Sequence, residues 1–289
     1  EPDAAKVQAA RRALDSAGVY GGRVFVDRGG FEDIPYSNYF ANLIVSERPL
    51  HGGDLPDVTP DLVRKLRPCG GIVCVGRPEG APEGEGAEAL TGWLSEFGLG
   101  EPALSREGGA WATLARGALP GAGSWTHQYA EPGNTACGDD QLRCPLGLLW
   151  YGDPGPDKMI SRHSRSVAPL SVDGLMLMQG NNVVMCYDAY NGVQYWEREI
   201  EGAMRGAMHS RASNVCCNTR HMFVAVGPQC LRLEVRTGET TATFDQPADE
   251  SGETPGWGWT ATVGDLVYGS TSVDGQHSRR VFALDVETG

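Results

Sequence analysis

The chain has 289 residues, 24 Lys+Arg against 37 Asp+Glu, and a formal net charge of −13. That acidic balance, with no basic stripe, argues against a nucleic acid or an anionic membrane as the main partner, because phosphate binding needs a cationic face that releases counterions. No apolar run approaches the ~20 residues that span a bilayer, no strict glycine period indicates collagen, and a 40% hydrophobic content is enough to bury real cores.

Forty glycines predict many tight turns, and the length predicts about two domains. In the first half, Asp3 caps a predicted helix whose apolar positions Val7, Ala10, Leu14 and Ala17 share one face. Gly18 and Gly21-Gly22 end it. Val24 and Val26 alternate as a short strand, and 41–45 reads as a buried one. Thr59 and Pro60 open a helix carrying Leu62, Val63 and Leu66, which Pro68 stops. A buried strand at 72–75, a helix face of Leu90, Trp93, Leu94 and Phe97, and a strand at 111–114 follow. Strands alternating with helices predict a parallel, doubly wound sheet whose ligands bind at the carboxyl ends of its strands.

The run Glu32-Asp33-Ile34-Pro35-Tyr36-Ser37-Asn38-Tyr39-Phe40-Ala41-Asn42-Leu43-Ile44-Val45 resembles the acidic-Leu-Pro loop and fourth strand of class I S-adenosylmethionine methyltransferases. Leu66-Arg67-Pro68-Cys69-Gly70-Gly71 resembles the Leu-Arg-Pro-Gly-Gly turn before their fifth strand, with Cys69 inserted. The resemblance implies a Rossmann-like domain over 1–118, truncated at its N-terminus, since the glycine-rich first strand would precede Glu1. It implies a cofactor site at Glu1, Gly29, Gly30, Phe31 and Asn42. Glu1 would accept the ribose hydroxyls, a carboxylate suiting a vicinal diol, and Phe31 would cover the adenine. Gly30 and Asn42 stand where the family often has acidic residues.

The second half repeats. Tyr187-Asp188-Ala189-Tyr190-Asn191-Gly192 recurs as Leu233-Glu234-Val235-Arg236-Thr237-Gly238 and as Leu284-Asp285-Val286-Glu287-Thr288-Gly289. A carboxylate that caps a turn, followed by glycine with positive φ, explains the pattern. Predicted strands precede each copy at 183–186, 230–233 and 280–284, and earlier ones lie at 175–178, 222–226 and 266–270. Trp196 and Phe244 follow two copies and suit packing between sheets. A repeat of roughly 40–50 residues with about four strands is that of a β-propeller blade.

The turn with its downstream tryptophan resembles the repeat of pyrroloquinoline quinone (PQQ)-type propellers, over roughly 120–289. Trp125-Thr126-His127-Gln128-Tyr129 and Gly133-Asn134-Thr135 resemble a blade opening, with 145–150 as the following strand. The layout resembles PQQ-like propeller proteins that carry a methyltransferase-like domain. The expected fold class is therefore an α/β Rossmann-like domain (1–118) followed by all-β propeller blades (119–289), in a piece of a longer chain. The resemblance implies a binding scaffold, a quinone-dependent oxidoreductase or a methyltransferase as the activity. S-adenosylmethionine, or PQQ with calcium, would be the cofactor. A protein or small molecule on the propeller face would be the partner, and the periplasm or cell envelope the location.

Quinone-dependent alcohol dehydrogenases of this fold carry a vicinal disulfide, which Cys216-Cys217 would supply. The residues themselves favour two strand thiols facing opposite ways. Asp139, Asp140 and Asn134 are candidate calcium ligands, with turn capping favoured for the aspartates. His127, His163 and His209, with Arg162, Arg165 and Arg205, either line a central anion site or are exposed loop residues, the latter favoured. Trp257 and Trp259 are expected to fill a gap between blades. No zinc spacing occurs among the eight cysteines, and no metal site is expected.

Overall fold

A computed structural model describes residues 1–81, 86–160, 167–205, 213–248, 255–272 and 277–289. The chain divides into two compact units, Glu1–Gly117 and Ala118–Gly289.

In the first unit, α1 (Ala4–Ser16) starts where Asp3 Oδ1 accepts the amides of Ala5 and Lys6 at 2.7 and 3.2 Å. Strand β1 (Leu43–Val45) pairs in parallel with β2 (Ile72–Pro78), aligning Leu43 with Ile72. Strands β3 (Ala103–Ser105) and β4 (Gly109–Ala115) form a hairpin, and β4 lies antiparallel to β2. The sheet order is β1-β2-β4-β3. Helices α2 (Pro60–Lys65) and α3 (Ala87–Ser95) supply Leu62, Leu90, Trp93 and Leu94 to a core with Val73, Val75, Ala112 and Leu114.

This corrects the expected sheet. Only one pair is parallel, because the short Arg106–Gly108 connection permits antiparallel pairing alone. The sheet is not doubly wound either: Ile44, Val73 and Val75 face the core, while Leu43 and Val45 remain 58% and 64% exposed. Val24 makes only an isolated bridge with Tyr20 and begins no strand. A Rossmann-like domain is thus not evident in this unit.

The second unit consists of antiparallel meanders. The first sheet runs β5 (Leu170–Val172), β6 (Leu175–Gln179), β7 (Val183–Asp188) and β8 (Gln194–Glu199). The second runs β9 (Val215–Cys217), β10 (His221–Val226), β11 (Gln229–Glu234) and β12 (Thr240–Asp245). The third has β13 (Gly256–Val263), β14 (Leu266–Ser272) and β15 (Val281–Asp285). Successive up-and-down sheets packed face to face are consistent with propeller blades. One core lies between the first two, with Leu177, Cys186, Cys217, Met222 and Leu233. Another joins the second and third, with Cys216, Phe223, Phe244, Trp257 and Val267. Segment 145–150, expected as a strand, pairs with no strand among the described residues.

The repeated turns behave as their chemistry predicts. Asp188 Oδ1 accepts the amides of Tyr190 and Asn191, Glu234 those of Arg236 and Thr237, and Asp285 those of Glu287 and Thr288. Gly192, Gly238 and Gly289 have φ of 75°, 71° and 87°. The glycines also have a second reason. The Trp150 ring lies against Gly192 and the Trp196 ring against Gly238, so an added Cβ would meet them at 2.4 and 2.6 Å. Each indole nitrogen donates to the carbonyl three residues before its glycine: Trp150 to Ala189 at 3.1 Å and Trp196 to Val235 at 3.0 Å. At the third turn Phe244 packs against Gly289 and has no such donor. The matching carbonyl, of Val286, accepts from the Arg232 guanidinium, which also pairs with Glu287 at 3.0 Å.

Two substitutions separate ring packing from the hydrogen bond. Trp196→Phe keeps most of the packing and is expected to cost about 1 kcal/mol. Gly238→Ala forces a left-handed alanine into the indole and is expected to cost about 2–4 kcal/mol. Urea unfolding of the full chain measures both, and Gly238→Ala should be the more damaging.

Candidate functional site

The segment Trp125 to Glu131 crosses the first strands of all three sheets. Trp125 and Ser171 of β5 exchange backbone hydrogen bonds, both at 2.8 Å. The next residue, Thr126, accepts the amide of Cys217 in β9 at 2.9 Å. The next, His127, accepts the amide of Thr262 in β13 through Nε2 at 3.1 Å. Three consecutive residues thus fasten three consecutive sheets, and β9 lies against both β5 and β13.

The strap folds back on itself. Ala130 O accepts the amide of Thr126 at 2.8 Å, and Ala130, Asn134 and Ala136 adopt φ of 75°, 55° and 57°. Three non-glycine residues in that region within seven positions mark a strained, over-determined loop. Glu131 supports it by accepting the amides of Thr135 at 2.9 Å and Gly133 at 2.5 Å, which hold its carboxyl below the usual range.

His127 is buried, which corrects its favoured placement as an exposed loop residue. Because Nε2 accepts, the neutral ring carries its proton on Nδ1, 2.8 Å from Thr126 Oγ1. Burial pushes the imidazole down to about 4, outweighing the upward pull of Glu131. Arg205 is buried and electrostatically coupled to Tyr129 of the strap. His163, His209, Arg162 and Arg165 lie outside the described residues.

A buried polar row joins the sheets nearby in sequence. Gln179 donates to Asn214 Oδ1 at 3.1 Å, Asn214 donates to Ala225 O at 3.1 Å, and Thr260 N donates to Ser213 O at 2.9 Å. Among the described residues Gln179 Oε1, Thr260 Oγ1 and Gln128 Oε1 have no hydrogen-bond partner. Such groups are ordinarily satisfied by water or a polar ligand.

The other expected residues fall as follows. Cys216 and Cys217 are free and buried, in the two different cores on either side of β9. Alternation along the strand therefore decides their orientation. Asp140 Oδ1 accepts Leu142 N at 2.9 Å and caps a turn, as expected, whereas Asp139 Oδ1 accepts the distant Ser124 N at 2.9 Å and ties two loops together instead. The two loops border a groove of about 570 Å³ lined by Leu119 to Trp125, Asp140 to Arg143 and Ser171. Trp257 fills the core between the second and third sheets, edge-on to Phe282 at 4.8 Å.

In the first unit, the Glu1 amino group donates to Asp27 O at 3.3 Å and Gly29 N donates to Glu1 O at 3.2 Å. Glu1 and Gly29 therefore meet. Phe31 O accepts the hydroxyl of Thr59, the α2 cap, and Asn42 O accepts the amide of Ile72 at 3.0 Å. A Cβ at Gly29 or Gly30 would meet only Asp33 O at 3.8 Å or the flexible tip of Glu32, so backbone geometry does not demand glycine there. Helix α2 fixes the loop beyond Phe31: Asp61 accepts the Ile34 amide at 2.8 Å and Lys65 donates to Tyr36 O at 2.7 Å. The Tyr36 hydroxyl donates to the Asp27 carboxylate, and that bond pushes Tyr36 up to about 12. Sequence reasoning missed Trp150, Arg232 and these α2 anchors. For Trp150 a signal existed, since Trp150 precedes Gly192 by the same interval as Trp196 precedes Gly238.

No protein-family model matches the sequence, and no curated protein matches it. Among solved structures the chain is similar to a europium-containing methanol dehydrogenase, at 19% identity and a TM-score of 0.41 over 58% of this chain and 31% of that one. It is similar to the quinohemoprotein alcohol dehydrogenase ADHIIG from Pseudomonas putida HK5, at 22% identity and a TM-score of 0.33 over 42% and 19%. It is also similar to BamB from Moraxella catarrhalis, at 14% identity and a TM-score of 0.28 over 43% and 36%. The chain thus spans well under half the length of each. The blade assignment rests on the meanders and the ring-on-glycine docking, not on these likenesses.

The thiols give a direct check. Burial pushes Cys217 up to about 12 and Cys216 well above its ordinary value. Iodoacetamide is expected to label the exposed Cys137 and Cys144 in the native protein. Cys216 and Cys217 are expected to label only after denaturation, and then without reductant, as read by peptide mass.

Proposed function

We propose that the chain is part of a PQQ-like β-propeller that works as a binding scaffold. The observation that carries this reading is an exposed apolar run. Leu142, Leu146, Leu148 and Tyr151 are 68–88% exposed within ten residues, beside the Trp150 ring that is docked on Gly192. Exposed apolar surface held by a rigid anchor suits contact with a protein partner.

The quinone oxidoreductase reading fits the residues less well. The two adjacent thiols lie in separate cores, and among the described residues no three His, Cys, Asp or Glu side chains gather to hold a metal. A quinone–calcium site needs several oxygen ligands, whereas Asp139 and Asp140 each already accept a backbone amide, of Ser124 and Leu142.

A second reading concerns the first unit: a methyltransferase-type remnant of a Rossmann-like domain, with S-adenosylmethionine at Glu1, Gly29, Gly30, Phe31 and Asn42. Two features favour it. The stretches matched to the family's fourth and fifth strands pair in parallel, and Gly29 N donates to Glu1 O at 3.2 Å, which brings two of the expected residues together. No described helix is long and apolar enough to cross a membrane.

A photo-crosslinking residue in place of Leu148 is expected to give a discrete protein adduct in the source cell, while the same residue at exposed Gln229 should not. Equal labelling at both positions, or none at Leu148, would count against the scaffold reading. Equilibrium dialysis with labelled S-adenosylmethionine tests the second reading: saturable binding lost in Phe31→Ala is expected if the remnant still holds its cofactor.

A further inference from the structure

We propose that His127 is a proton-operated latch that fastens the strap to the third sheet and releases β13 when the imidazole takes up a second proton. The geometry leaves no alternative use for Nε2. It is the acceptor for the Thr262 amide, and protonation would set N–H against N–H across 3.1 Å. Nδ1 is already engaged with Thr126 Oγ1 at 2.8 Å, so the ring cannot turn to offer a fresh acceptor without losing that contact. His127 is also 3% exposed, which leaves its added charge without water.

The surroundings offer that charge little help. Glu131, on the strap itself, is the one charge acting on the ring among the described residues, and its carboxylate is bonded to the Thr135 and Gly133 amides. From β9 the strap meets Cys217, a thiol that burial keeps neutral. From β13 it meets Thr262, which carries no charge. The strap's other two fastenings involve no titratable group: Trp125 with Ser171, and Thr126 with Cys217, are backbone pairs. Release is therefore confined to one sheet of three.

The direction follows from linkage. The closed strap holds the imidazole down at about 4, against 6.5 for a free histidine, so the open strap binds more protons between those values. Opening is favoured as pH falls. One proton taken up means an open population rising about tenfold per pH unit through that window, to about two orders of magnitude in all.

Amide hydrogen exchange of the full chain between pH 7 and 4, corrected for intrinsic exchange, tests this. Protection of the Thr262 amide is expected to fall about tenfold per pH unit, while the Ser171 and Cys217 amides hold theirs. His127→Gln supplies an acceptor that does not titrate, and its Thr262 protection is expected to be flat with pH. Glu131→Gln removes the neighbouring carboxylate and is expected to retain the dependence. Flat protection in the unaltered chain would overturn the latch. So would equal loss at all three amides, which reports unfolding of the unit, or disappearance of the effect in Glu131→Gln.

Discussion

Everything regular in the second unit depends on an aromatic ring seated on a glycine. A ring from the preceding stretch of chain, Trp150 ahead of the first sheet or Trp196 on β8, closes over the turn of the sheet that follows, where only hydrogen leaves room for it. The indole nitrogen then satisfies a carbonyl that the turn leaves open. The contact combines a large apolar burial with a directed bond, so it fixes both the spacing and the rotation of successive blades. At the third turn the two jobs are divided between residues. Phe244 supplies the ring and Arg232 supplies the donor, with Glu287 offsetting the cost of the partly buried cation. The same geometric demand is met by two chemistries.

The rings join successive turns, and the strap joins the first strands of the three sheets. Trp125, Thr126 and His127 each engage the first strand of a different sheet. Such a segment must leave ordinary strand geometry to reach all three, and the left-handed residues Ala130, Asn134 and Ala136 record that departure. Glu131 stabilises the bend through two backbone amides. The three first strands are thus held by hydrogen bonds that differ in kind. Two join backbone to backbone, and one runs through an imidazole whose acceptor can be lost.

The first unit follows another logic. Helices α2 and α3 pack on the four-stranded sheet, and α2 also governs the adjoining loop. Thr59, Asp61 and Lys65 each bind a different backbone group, of Phe31, Ile34 and Tyr36. A six-residue helix thereby fixes the loop that the family resemblance marks as cofactor-adjacent. The half-exposed Phe31 ring is presented by that backbone and not by packing.

Local chemistry decided what the sequence revealed. The Asp/Glu turn with its glycine is written within six residues, so the blade repeat and its strands at β6, β7, β10, β11, β14 and β15 could be read directly. Capping by Asp3 and Thr59 is likewise local, and alternation along β9 predicted opposite orientations for Cys216 and Cys217. The rest required residues far apart in the chain. Parallel or antiparallel pairing of β4 depends on how β3 returns, which no periodicity encodes. The burial of His127 depends on Thr262, 135 positions away. Arg232 looks like an ordinary strand cation until Phe244 leaves Val286 without a donor. Sequence determined the repeated turns and the strands beside them, because those rest on neighbours a few residues apart, whereas the stretches expected as strands at 24–26 and 145–150 lacked such a turn and formed none among the described residues. Tertiary structure alone decided which carbonyl each donor finds and which histidine is enclosed, because burial and long-range hydrogen bonds come into being only when the sheets meet.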